Sequence, residues 1–164
     1  MFKFLLVSIL LVNTAYAGKI EMVTRLIGKY LPVSSKKPLN YALKGKKHPK
    51  TGVRFSKAGY PRFPAVATCD MRLSWFEINF DKFSSDEKIR AKHFKICSRQ
   101  LYKKLSSNKT LRNKFTPHQL RQLRNGKTPD GYTWHHEPKK NILTLVDRNT
   151  HAATAHSGGF SLYH

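Results

Sequence analysis

Apolar residues recur at helical spacing in three stretches of this chain. Ile89, Phe94, Cys97, Leu101 and Leu105 form one stripe, and Ser84 followed by Glu87 reads as a capping box at its start. Lys88, Arg90, Lys92, Lys95, Arg99, Lys103 and Lys104 fall mostly on the other faces, so the helix carries a strongly basic side. A second helix starts at Thr116-Pro117, an N-cap followed by Pro in the first turn; Leu120 and Leu123 supply its apolar side and Asn125-Gly126 stops it. Nearer the N-terminus, Ile20, Val23 and Ile27, with Met22 and Leu26 beside them, give Gly18 to Tyr30 a helix-like spacing as well.

The pattern changes elsewhere. Residues 31–64 are rich in Pro, Gly and Lys (PVSSKKP, GKKHPKTG, KAGYPRFP) and predict turns and short extended pieces. Residues 70–80, DMRLSWFEINF, read as a strand or a packed irregular segment. After the turn TPDG come two short extended runs, YTWHH and ILTLVD, separated by EPKKN, which predict a β-hairpin. RNTHAATAH, 148–156, reads as a short helix ended by Gly158-Gly159. The expected fold class is α+β: a mainly helical body followed by strand, strand, helix.

The first 17 residues stand apart. MFKFLLVSILLVNTAYA has an early Lys, an apolar run from Phe4 to Val12 and the ending Ala15-Tyr16-Ala17. This reads as a secretory signal peptide cleaved before Gly18, leaving one domain over 18–164. The apolar run is too short for a bilayer-spanning anchor. An exported chain resides in the periplasm or outside the cell, where an isolated cysteine pair forms a disulfide more often than two free thiols. A Cys69–Cys97 bridge would stabilise the fold by about 3–4 kcal/mol through the entropy it removes from the unfolded chain. The alternative is two buried thiols, since Cys97 sits on an apolar stripe.

Charge narrows the class of partner. The 164-residue chain carries a formal +22, and Lys3 is the one charged residue of the leader. A domain this basic binds polyanions: nucleic acid, an anionic membrane surface or an acidic polysaccharide. Its charge would also attract an acidic inhibitor or immunity protein.

The chemistry concentrates near the C-terminus. Of eight histidines, His135, His136, His151 and His156 fall within 22 positions. Neutral imidazole is a common ligand of transition metals and the commonest general base near neutral pH, so this cluster points to a metal site. His48, His93, His118 and His164 read as structural or surface residues. His135 and His136 are neighbours on a strand and face opposite sides. One can therefore hold a metal while the other takes a proton. His151 and His156 are five apart, about 140° on a regular helix. They meet at one ion only if His151 sits at the helix entrance or the helix is distorted.

GYTWHH followed by LTLVDRNTHAATAHSGG closely resembles the HNH/endonuclease VII nuclease superfamily, in the subgroup named for its Trp-His-His motif. GVRFSKAGYPRFP at 52–64 and NKFTPHQLRQLRNGKTPDGYTWHH extend the resemblance over most of residues 50–164. It implies a ββα-metal core at about 128–160, with His136 as the general base and His135, His151 and His156 as metal ligands. The superfamily's central Asn, which orients the base, corresponds to Asn141 or Thr144. Trp134 is expected to pack the hairpin, and Lys139, Lys140 and Arg148 are candidate phosphate contacts. The resemblance further implies an exported endonuclease that hydrolyses DNA with little sequence preference, using one divalent ion. An all-His shell suits Zn or another late transition metal better than Mg or Mn. Many members of the subgroup are toxin modules of long secreted polypeptides, whereas here the nuclease region follows the leader directly, as in an autonomous exported nuclease. The competing expectation is an exported cationic protein that binds polyanions or membranes and keeps a structural metal site.

Overall fold

The computed structural model describes residues 37–74 and 85–163. The leader, the helical spacing at Gly18 to Tyr30, Ser84 and most of the aromatic run 70–80 lie outside those residues. Within them the elements are β1 (Arg54–Phe55), β2 (Pro61–Arg62), β3 (Ala67–Asp70), α1 (Asp86–Leu105), α2 (Lys109–Arg112), α3 (Pro117–Arg124), β4 (Tyr132–His136), β5 (Ile142–Asp147), α4 (Arg148–Ala153) and α5 (Phe160–Tyr163). This is an α+β architecture. Short 3-10 turns at Tyr41–Leu43 and Met71–Ser74 join the early pieces.

β4 and β5 form the expected antiparallel hairpin, with His135 opposite Thr144 and His136 opposite Leu143. Asn141 takes the left-handed position in its turn, at φ 66°. β3 has no counterpart among the elements that the sequence pattern predicts. Ala67–Asp70 pairs antiparallel with β5, giving the order β3-β5-β4 and leaving β4 at an edge. Four residues are too few to show a period, so only the partner strand identifies this one.

Alternation along the strands sorts side chains onto two faces. Trp134, Leu143 and Leu145 join Cys69, Met71, Cys97, Leu101, Leu105, Phe115 and Leu123 in the main core, against α1 and α3. Val146 faces the other way and packs with Val53 and Phe63 around the β1–β2 region. Trp134 is a core residue, its indole N–H donating to Ser98 Oγ at 3.0 Å.

The helix boundaries follow local chemistry with two differences from expectation. α3 begins at a complete capping box between Thr116 and Gln119 and ends at Asn125, with Gly126 at φ 72°. α1 instead begins after Ser85, whose side chain makes no capping hydrogen bond. α4 stops at Ala153, so the helix expected over 148–156 is three residues shorter. Thr154 leaves helical geometry at ψ 84°, and its buried hydroxyl meets Thr51 Oγ1 at 2.7 Å. The chain thus leaves the helix two residues before His156.

Cys69 and Cys97 form a disulfide with their Cα atoms 5.4 Å apart, joining β3 to the middle of α1. The bridge is thus present, and the two-thiol alternative is not. No helix among the described residues is long and apolar enough to cross a membrane.

Candidate active site

The edge strand β4 delivers His135 and His136 to opposite sides of the sheet. His135 is 2 % exposed and faces α4, where its Nδ1 lies 3.3 Å from His151 Nε2 and 3.3 Å from His156 Nε2. One nitrogen from each of the three imidazoles falls within 4.8 Å of the others, so the three can hold a metal ion. The early end of α4 resolves the awkward spacing: His151 is on the helix and His156 is on the extended segment that follows. Leu39 N–H donates to Ser157 Oγ and the Asn40 amide donates to Ala155 O, which ties that segment down on both sides of His156.

The donor chemistry of these rings fits a cation. Burial pushes the His135 pKa down to about 3, helped by the charges that His156, His151 and His136 would carry. Burial likewise lowers His151 to about 4, with His156 as the second cause. His156 is lowered by burial too, opposed by its bond to the Thr154 carbonyl. All three rings are therefore neutral near pH 7. Neutral imidazoles facing one another share at most one proton per contact, whereas a single cation accepts a lone pair from each. His156 Nδ1–H donates to Thr154 O, which leaves Nε2 as the lone-pair nitrogen turned toward the cluster. His135 Nε2 is buried with no hydrogen-bond partner among the described residues. Packing against Phe63 holds that ring in its place. The Phe63 ring centroid is 4.9 Å from His135, 5.2 Å from His151 and 5.1 Å from His156, an apolar floor beneath all three.

His136 belongs to the α1 side. Its Nε2 lies 3.1 Å from Nδ1 of His93, and its ring packs against Phe94 and Phe160 at 5.7 and 5.1 Å. The backbone carbonyl of His136 accepts from Gly159 N–H at 2.8 Å. A cleft of about 440 Å³ at the edge of β4 is lined by His135, His136, His151 and His156, together with Arg90 and Phe160. The Arg90 guanidinium stacks over the Phe160 ring at 4.8 Å and brings a cation to the lining.

Several expected residues fall elsewhere. Asn141 is occupied as the turn residue of the hairpin. Thr144 is buried, and its hydroxyl donates to Glu137 Oε1 at 2.8 Å. Lys139, Lys140 and Arg148 are exposed outside the cleft, with Arg148 Nε donating to Tyr132 O. His48 and His118 keep structural and surface places, stacked on Phe55 and paired with exposed Asp130. His93 takes the structural half of that reading: it is 5 % exposed, with its ring against His136. Its position on the same side of α1 as Ile89 and Cys97 was the available signal.

Residues 53–158 match the family model of the DNase/tRNase domain of colicin-like bacteriocins. The chain belongs to this family. No curated protein matches it. The matched region contains Phe63, His93 and all four clustered histidines, and stops just before Gly159 and Phe160. A DNase/tRNase domain acts on nucleic acid, and the matched span includes the histidine cluster.

Proposed function

We propose that this chain is an exported, metal-dependent endonuclease that hydrolyses DNA with little sequence preference, built on a ββα-metal core of the Trp-His-His type. The observation that carries this reading is the edge of β4. Three neutral imidazoles converge on one side of the strand, and the adjacent His136 is presented on the other, within the same cleft.

In this reading His135, His151 and His156 hold one divalent ion, with Zn or another late transition metal favoured by an all-imidazole shell. When bound, the ion stabilises negative charge on the phosphoryl and departing oxygens. His136 takes the proton from the attacking water, which converts a weak nucleophile into hydroxide near the phosphorus. Arg90, held against Phe160, faces the cleft and pairs with the scissile phosphate. Lys139, Lys140 and Arg148 meet flanking phosphates from the exposed surface. Residues 1–17 serve as the signal peptide, and the basic surface accounts for affinity to duplex DNA and would attract an acidic inhibitor.

Plasmid digestion with and without a chelator tests this reading, alongside His136→Ala. The expected result is chelator-sensitive cutting and a rate lowered by about 100- to 10,000-fold in the variant. Wild-type rates from His136→Ala would exclude His136 as the base. Parallel digestion of RNA tests the preference for DNA.

A further inference from the structure

The geometry points to His93 as the positioning residue of the general base: it holds the His136 ring and sets which of its nitrogens carries the proton. This rests on His136 being the base, as proposed above. His93 comes from α1, 43 residues away in sequence, and its Nδ1 faces His136 Nε2 at 3.1 Å. The ring centroids are 5.3 Å apart. Phe160 packs against both rings, at 6.4 and 5.1 Å, so the pair is held in a partly apolar setting. The helix is fixed as well, because Cys97 lies one turn beyond His93 and is bridged to β3.

A neutral imidazole has one N–H and one lone pair, so two rings meeting nitrogen to nitrogen constrain each other. If His93 Nδ1–H donated, His136 Nε2 would accept and Nδ1 of His136 would bear that ring's proton. His136 would then have no lone pair for water. Only the opposite polarity makes a base: His136 Nε2–H donates to the lone pair of His93 Nδ1, and His136 Nδ1 is the accepting nitrogen. As water attacks, its O–H bond breaks and the proton passes to His136 Nδ1. The resulting hydroxide oxygen bonds to phosphorus, and the bond from phosphorus to the departing oxygen breaks with its electron pair. His93 stays neutral throughout, and its acceptor nitrogen continues to hold the imidazolium that forms on His136. The pairing joins residues 43 positions apart, so local spacing in the sequence does not show it.

The test compares His93→Leu, His93→Asn, His136→Ala and the Leu/Ala double variant, each as the oxidised full chain loaded with Zn. The measurements are kcat and KM on a short duplex, Zn affinity, and the protonated nitrogen of His136 by long-range proton–nitrogen NMR. Leu is expected to lower kcat by about 10- to 100-fold with KM and Zn affinity unchanged. Asn, whose amide oxygen can accept from Nε2–H, should recover most of the loss. Added to His136→Ala, the Leu change should cost nothing further. His136 should carry its proton on Nε2 in the wild type and the Asn variant, and become a mixture with Leu. A wild-type kcat from His93→Leu beside a dead His136→Ala overturns the role of His93 and leaves the base intact. Full activity in His136→Ala overturns the base itself. If the Leu variant does not fold, a proton on Nδ1 of wild-type His136, or an inactive but folded Asn variant, overturns the inference.

Discussion

At His135 the surroundings decide the protonation state. Burial is the largest cause of its low pKa, and the neighbouring imidazoles add to it. The unfolded chain takes up protons near the ordinary 6.5, while the folded chain resists until about 3. Between those values the unfolded state binds more protons, so metal-free stability is complete above pH 6.5 and declines as pH falls through the window. His151, lowered to about 4, acts in the same direction. Urea unfolding of the metal-free protein at pH 7 and pH 4.5 should show a lower midpoint in acid, and His135→Gln should shrink the difference. An equal loss in both proteins would place the acid sensitivity elsewhere. Protons compete with metal for the same lone pairs, so metal affinity should weaken over the same range.

At the scale of elements, the site depends on how the segment after α4 returns to the edge of β4. Gly159 N–H bonds the His136 carbonyl, and a Cβ on Gly159 would run into the Glu137 carbonyl. Gly159 is needed here because the two backbones approach too closely for any side chain. Gly159→Ala should destabilise the fold by about 1–3 kcal/mol and lower activity, since the clash falls on the backbone of His136 and Glu137. Unfolding midpoints and plasmid cutting together check this; wild-type values in both would mean that the segment is held by other contacts. Much of the local architecture was legible beforehand. The hairpin, the α3 capping box and the opposite facing of His135 and His136 depend only on neighbouring residues. The end of α4 was not legible. The helix ends at Thr154, whose hydroxyl meets Thr51, 103 positions away. The same break brings His156 to His135, so the spacing that looked unfavourable on a regular helix does not apply.

For the molecule as a whole, two features set stability and substrate capture. The Cys69–Cys97 bridge closes a loop of 28 residues and pins the helix bearing His93 to the sheet. Reduction should lower the unfolding free energy by about 3–4 kcal/mol, read from urea curves with and without reductant. Coincident curves would show that the bridge contributes nothing. The charge of +22 makes duplex binding depend on counterion release. Affinity for DNA should therefore fall by roughly tenfold or more between 50 and 200 mM salt, measured with catalytically inactive protein. A flat response would mean that the basic helices do not meet phosphates.

The sequence by itself determined what short-range spacing and composition control. That includes the basic character, the hairpin with one histidine on each face, and a cluster of imidazoles suited to a metal. The tertiary structure alone decided which distant residues complete the site. β3 became a strand only by pairing with β5, Phe63 reached the three imidazoles through the packing of the β1–β2 region, and His93 met His136 because α1 lies on that face of the sheet. These contacts join residues far apart in the chain, and no local period encodes them. They follow from the burial of shared apolar faces, which brings together polar groups whose chemistry neither segment announces alone.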